Sequence, residues 1–248
     1  MISSKLYKLS LILFIFIFIS CSEETDEEEN GIENAPPSYE VNILTLGDSR
    51  VQGNRPNHES YRFELWKSFI QNNWTVDFLG PNIDTSEYPL VEGLGFDNEH
   101  GGVGGYTTKS VLSSLEETLA SVEMPDVILL GIGGNDLVRN IANEEAIQNI
   151  HGIIDILQDY NPDITIFIEQ IAPAVSEIYN EENILIFNSF NEAILTVSEE
   201  RTTEGSSVIS IDMAEGWNDI LLADDVHYNA LGAKFVADKY FDAIDEEM

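Results

Sequence analysis

Five short apolar runs, at residues 41–46, 76–79, 127–130, 164–168 and 208–211, alternate along this chain with longer segments whose apolar residues recur at helical spacing. The runs have strand length and are rich in β-branched residues. Between them, Ala146, Ile147, Ile150, Ile154 and Leu157 share one helical face, and Ile186, Phe187, Phe190, Ile194 and Val197 share another. A further helix opens near Thr107 or Thr108, runs through Val111, Leu112, Leu115 and Leu119, and stops before Pro125; others cover residues 61–70 and about 230–244. Strands joined through helices pair in parallel by right-handed crossovers, which place helices on both sheet faces. The pattern predicts a three-layer α/β/α sandwich on a five-stranded, mostly parallel sheet, with residues 80–105 as a long loop rich in Gly, Asn and acids. Such sheets collect ligands at the carboxyl ends of their strands.

Three polar motifs follow strand ends or lie on a late loop. Ser49, in Gly47-Asp48-Ser49, comes three residues after the first run. A serine hydroxyl becomes a nucleophile when a neighbouring base takes its proton; otherwise Gly-Asp-Ser is a turn whose polar side chains cap the next helix. Asn135, in Gly133-Gly134-Asn135-Asp136, follows the third run. Its amide suits an oxyanion donor or an Asx turn equally. His227 stands three residues after Asp224, a spacing that lets one turn present an imidazole and the carboxylate that orients it; Asp225 is the competing partner. Gly101-Gly102-Val103-Gly104-Gly105 opens the helix after it, where a backbone N–H can approach a small ligand closely. No Lys-Ser or Lys-Thr pair follows this run, against a phosphate loop. His58 and His100 fall in expected loops that could border a cleft, and His151 borders a helix's apolar face. No histidine pair has zinc spacing and there is one cysteine, so no metal is expected.

Taken in order and separation across residues 41–245, these motifs resemble the SGNH or GDSL hydrolase family. The resemblance implies a flavodoxin-like fold and a serine esterase that needs no cofactor. It assigns Ser49 as nucleophile, His227 as its base and Asp224 as the carboxylate holding His227. The N–H of Ser49, the N–H of Gly105 and the amide of Asn135 would form the oxyanion hole, with Gly101, Gly102 and Gly104 near enough to shift the glycine assignment. Arg50 departs from the small or hydroxylated residue that many members carry there.

The first residues point to export. Lys5 and Lys8 precede an apolar stretch over residues 9–19, too short to span a bilayer comfortably, and Ser20-Cys21 follows. Phe18-Ile19-Ser20-Cys21 resembles a bacterial lipobox, implying a signal peptide at 1–20, lipidation at Cys21 and a membrane anchor. Residues 21–40 are acidic, contain Pro36-Pro37 and have almost no large apolar side chains, as a flexible tether requires. Their acidic run is similar to the export signal of surface lipoproteins in the Bacteroidetes group. The catalytic domain is then 41–248. A formal charge of −34 repels phosphate backbones, so nucleic acid is excluded as a partner.

The expected activity is removal of acetyl or other small acyl groups from an extracellular polysaccharide by an outer-membrane or cell-surface lipoprotein, the alternatives being periplasmic or secreted. Trp66, Trp74, Tyr106, Trp217 and Tyr228 are candidate sugar platforms or core residues. A lipase, thioesterase or lysophospholipase with the same machinery is the nearest rival. A non-catalytic glycan-binding lipoprotein is a second.

Overall fold

The structure is a computed structural model and describes residues 40–178 and 180–248. The expected signal peptide, Cys21 and all of the expected tether but Glu40 lie outside the described residues. In chain order the elements are β1 (Glu40–Gly47), α1 (Ser49–Gln52), α2 (Arg62–Gln71), β2 (Thr75–Leu79), β3 (Asn82–Ile83) and β4 (Glu99–Gly102). They continue with α3 (Thr108–Ala120), β5 (Val127–Gly131), α4 (Gly134–Val138), α5 (Asn143–Tyr160), β6 (Thr165–Gln170), α6 (Glu181–Arg201), β7 (Val208–Asp212) and α7 (Ala230–Glu247).

The five expected strands are β1, β2, β5, β6 and β7, all parallel and ordered β2-β1-β5-β6-β7. The sheet has seven strands rather than five, because residues 80–105 contribute β3 and β4. Residues 40–44 of β1 pair with β2, whereas Leu46 and Gly47 pair with Gly101 and Gly102 of β4. One edge of β1 is therefore shared end to end by two strands. The handover is tight: a Cβ on Gly80 would lie 1.9 Å from the His100 carbonyl carbon. The sequence Glu99-His100-Gly101-Gly102 lacks the apolar signature of a strand, so it reads as a loop until β1 is there to pair with it.

All five residues of β5 are buried, as expected for a central strand covered on both faces. Ile128 and Leu130 join Leu115, Ile150, Ile154 and Phe190 in the core beneath α3, α5 and α6. Val127 and Leu129 join Phe69, Val236 and Tyr240 in the core beneath α2 and α7. Each such aliphatic side chain contributes about 1.5–3 kcal/mol when removed from water. Connections leave β1 and β5 at the same sheet end, beside the point where strand order reverses, which fixes where a cleft opens.

Candidate active site

At that end Gly47 closes β1. A Cβ there would come within 2.1 Å of the Gly131 carbonyl oxygen, so glycine alone lets β1 and β5 approach this closely before the chain turns. Asp48 then caps α1, its side chain accepting from the Arg50 N–H, and Ser49 begins the helix. This short turn delivers the serine hydroxyl to the mouth of the sheet.

The loop before α7 brings the imidazole from 178 positions away: His227 Nε2 lies 2.9 Å from Ser49 Oγ. His227 Nδ1 lies 2.8 Å and 3.0 Å from the two carboxylate oxygens of Asp224. Asp224 also accepts from the backbone N–H groups of Val226 and His227, so it organises the turn as well as the ring. Partial desolvation pushes its pKa up, but those two N–H bonds and the His227 contact outweigh it and hold the carboxyl at about 2. Asp225 takes no part in the ring contact; its carbonyl accepts from the Val175 N–H.

On the other side, Gly133 adopts φ 122°, and a Cβ there would lie 2.3 Å from the Phe190 ring. The turn starts α4 and places Asn135, whose Nδ2 donates to the Tyr106 carbonyl at 2.9 Å and to Asp48 Oδ2 at 3.1 Å. Gly105 immediately precedes Tyr106, and the Gly105 carbonyl accepts from Arg139 at 2.7 Å. The N–H of Gly105 is paired with no acceptor among the described residues. The glycine loop is fastened from below, since buried Asp136 accepts from both the N–H and the hydroxyl of Thr108 at the start of α3.

Ser49, Gly105, Asn135 and His227 line one cavity of about 950 Å³. Its lining includes an apolar set, Leu137, Val138, Ile141, Ile178, Leu185 and Ile186, of which Val138, Ile178, Leu185 and Ile186 are exposed, interspersed with polar Asn140, Asn143, Glu144 and Asn183. Ile186 thus leaves the core-facing stripe expected for it. None of the five aromatic residues considered as sugar platforms lines this cavity. Trp66 and Tyr228 are buried, and Trp74, Trp217 and Tyr106 pack against the cores. Among the described residues no cluster of three or more His, Cys, Asp or Glu side chains could hold a metal ion.

Three further residues, Arg50, Asp48 and His58, support the site in roles that the sequence motifs did not assign to them. Arg50 spends its guanidinium on the carbonyls of Val226, Ala172 and Pro173 and sits 5.0 Å from the Tyr228 ring centroid, tying α1 to the His227 loop. Its departure from the family pattern is the only signal. Asp48 holds Asn135, and burial raises the Asp48 carboxyl above its usual range. His58 does not line the cavity; its ring stacks on His227. His100 is buried on β4, where burial lowers its imidazole to about 4, and His151 lies on α5, away from the cavity lining.

The family model described as GDSL-like Lipase/Acylhydrolase matches residues 45–235. A family 3 carbohydrate esterase from Talaromyces cellulolyticus superimposes with a TM-score of 0.71 at 21% identity, covering 83% of this chain and 97% of the other. A family 3 carbohydrate esterase from Clostridium thermocellum gives 0.67 at 25% identity, covering 84% and 97%. An acetyl esterase variant with acetate ion gives 0.71 at 20% identity, covering 83% and 97%. No curated protein sequence matches the chain significantly.

Proposed function

The chain belongs to the GDSL-like lipase/acylhydrolase family and is an ester hydrolase, and from that premise we propose that it releases acetyl or another short acyl group from an acylated carbohydrate outside the cell. The observation that carries the mechanism is the continuous relay from Asp224 through His227 to Ser49 Oγ at hydrogen-bond distances, opening onto a cavity. Neutral His227 takes the Ser49 proton as Oγ attacks the ester carbonyl, and Asp224 steadies the imidazolium that forms. The oxyanion develops toward the N–H groups of Ser49 and Gly105 and the amide of Asn135. Both Asn135 amide hydrogens already have partners, so the oxyanion shares the one on the longer bond, to Asp48. His227 then returns its proton to the leaving alcohol, and water repeats the sequence on the acyl-enzyme.

The carbohydrate part of the reading is supported by the likeness to the two family 3 carbohydrate esterases and the acetyl esterase. The cell-surface part is supported by the sequence alone, through the apolar stretch ending at Cys21. Incubating the protein with an acetylated polysaccharide and with a small chromogenic acetate tests the activity. Acetate release is expected from both, falling at least about 1,000-fold in Ser49→Ala. No release from either, or unchanged release by Ser49→Ala, rejects the reading.

The apolar part of the lining favours a second reading, in which longer acyl chains are taken. Val138, Ile178, Leu185 and Ile186 offer far more aliphatic surface than an acetyl group can cover. A higher kcat/KM for octanoyl than for acetyl esters of one alcohol would replace the short-acyl assignment. Radiolabelled palmitate incorporation, lost in Cys21→Ala, tests the anchor.

A further inference from the structure

His227 is held at both edges, Nδ1 by Asp224 and Nε2 by Ser49, and contact at the edges leaves its ring plane free to tilt about the line between them. His58 supplies the third contact. Its ring lies 4.0 Å from that of His227, centroid to centroid, with only 16° between their planes. The backbone sets this stack: His58 and Asn54 bridge across a tight turn, and the Glu59 N–H donates to the Tyr228 carbonyl at 2.8 Å, so the two histidines sit on adjacent strands of backbone. His58 is 8% exposed, so the stacked pair is largely shielded from water on this side.

We propose that His58 is a positioning residue for the ester hydrolysis, whose flat neutral face fixes the plane of His227 and stabilises the imidazolium that His227 becomes when it takes the Ser49 proton. The inference rests on the Ser49–His227 mechanism given above. A cation within about 6 Å of an aromatic face is attracted to it, and the stack is well inside that range. The charged and titratable surroundings are compatible. Asp224 stands at one edge of His227, Asp48 and Arg50 lie on the nucleophile turn, and Glu59 follows His58. Burial, followed by the charge of His227, lowers the basicity of His58.

The test compares His58→Phe, which keeps a flat face, with His58→Leu, which fills the space without one. His58→Leu is expected to lose about 3- to 30-fold in kcat with KM little changed, and its acid limb in kcat/KM should move about half a unit to one unit lower in pH. His58→Phe should stay within about threefold of the parent. Full activity in His58→Leu, or equal losses in both variants, would overturn the proposal. If neither variant folds, imidazole nitrogen NMR of the parent decides: His227 must protonate before His58, and the reverse order ends the idea. A parent whose activity survives Ser49→Ala would instead defeat the mechanism, so the two failures are distinguishable.

Discussion

At the scale of single residues, Asp224 holds the His227 imidazole directly, and Arg50 holds the loop that carries it through the Val226 carbonyl. With its carboxyl held at about 2, Asp224 stays ionised through any pH at which an esterase is assayed, so it does not shape the acid limb of activity. Asp224→Asn keeps the size of the side chain but removes the charge that steadies the imidazolium. Steady-state kinetics should show kcat lowered about 1,000-fold or more with KM within a few-fold of the parent. Arg50 acts through carbonyls: its fork reaches Val226, Ala172 and Pro173 at once. Lysine offers a point charge and cannot span three acceptors. Arg50→Lys should therefore cost about tenfold in kcat through a loosened His227 loop, an effect of about 1.4 kcal/mol. The Asp224–His227 spacing was legible in the sequence because it is local. The roles of Arg50 and His58 were not, since their partners lie 122 to 176 positions away for Arg50 and across a separate loop for His58.

At the scale of elements, the long helices and five main strands were legible because period and length mark them, and their ends move by only a few residues. The short pieces were not. α1 and α4 have four and five residues, too few for periodicity to register, yet they hold Ser49 and Asn135. β6 contributes a less visible device. Its residue Glu169 is buried, and the Tyr240 hydroxyl donates to it at 2.7 Å. Burial pushes this carboxyl up to about 7 despite the Tyr240 bond and the Arg50 charge. In the unfolded chain the same group titrates near its ordinary 4.5, so the folded state binds the proton more tightly. The resulting stability is fully present below about pH 4 and is lost as pH rises through about 7, amounting to about 3 kcal/mol at most. Thermal melts from pH 5 to 8 should show Tm falling with pH, and Glu169→Gln should flatten that slope.

For the whole molecule, charge outweighs every other surface property. With 45 acidic and 11 basic residues, the surface repels anions approaching the cavity. Raising salt from about 20 to 500 mM shortens the Debye length several-fold. The kcat/KM for an ester bearing a carboxylate should rise severalfold over that range, while that for a neutral ester of similar size stays level. Equal responses of the two esters would remove electrostatic exclusion from the account. Chain topology carries a second consequence. Because β4 occupies the half of the β1 edge nearest Ser49, the stretch between β2 and the glycine loop braces the turn that carries Ser49. Excising β4 would strip one edge of Leu46 and Gly47 of its partner beside Ser49, leaving β5 alone to hold that end of β1.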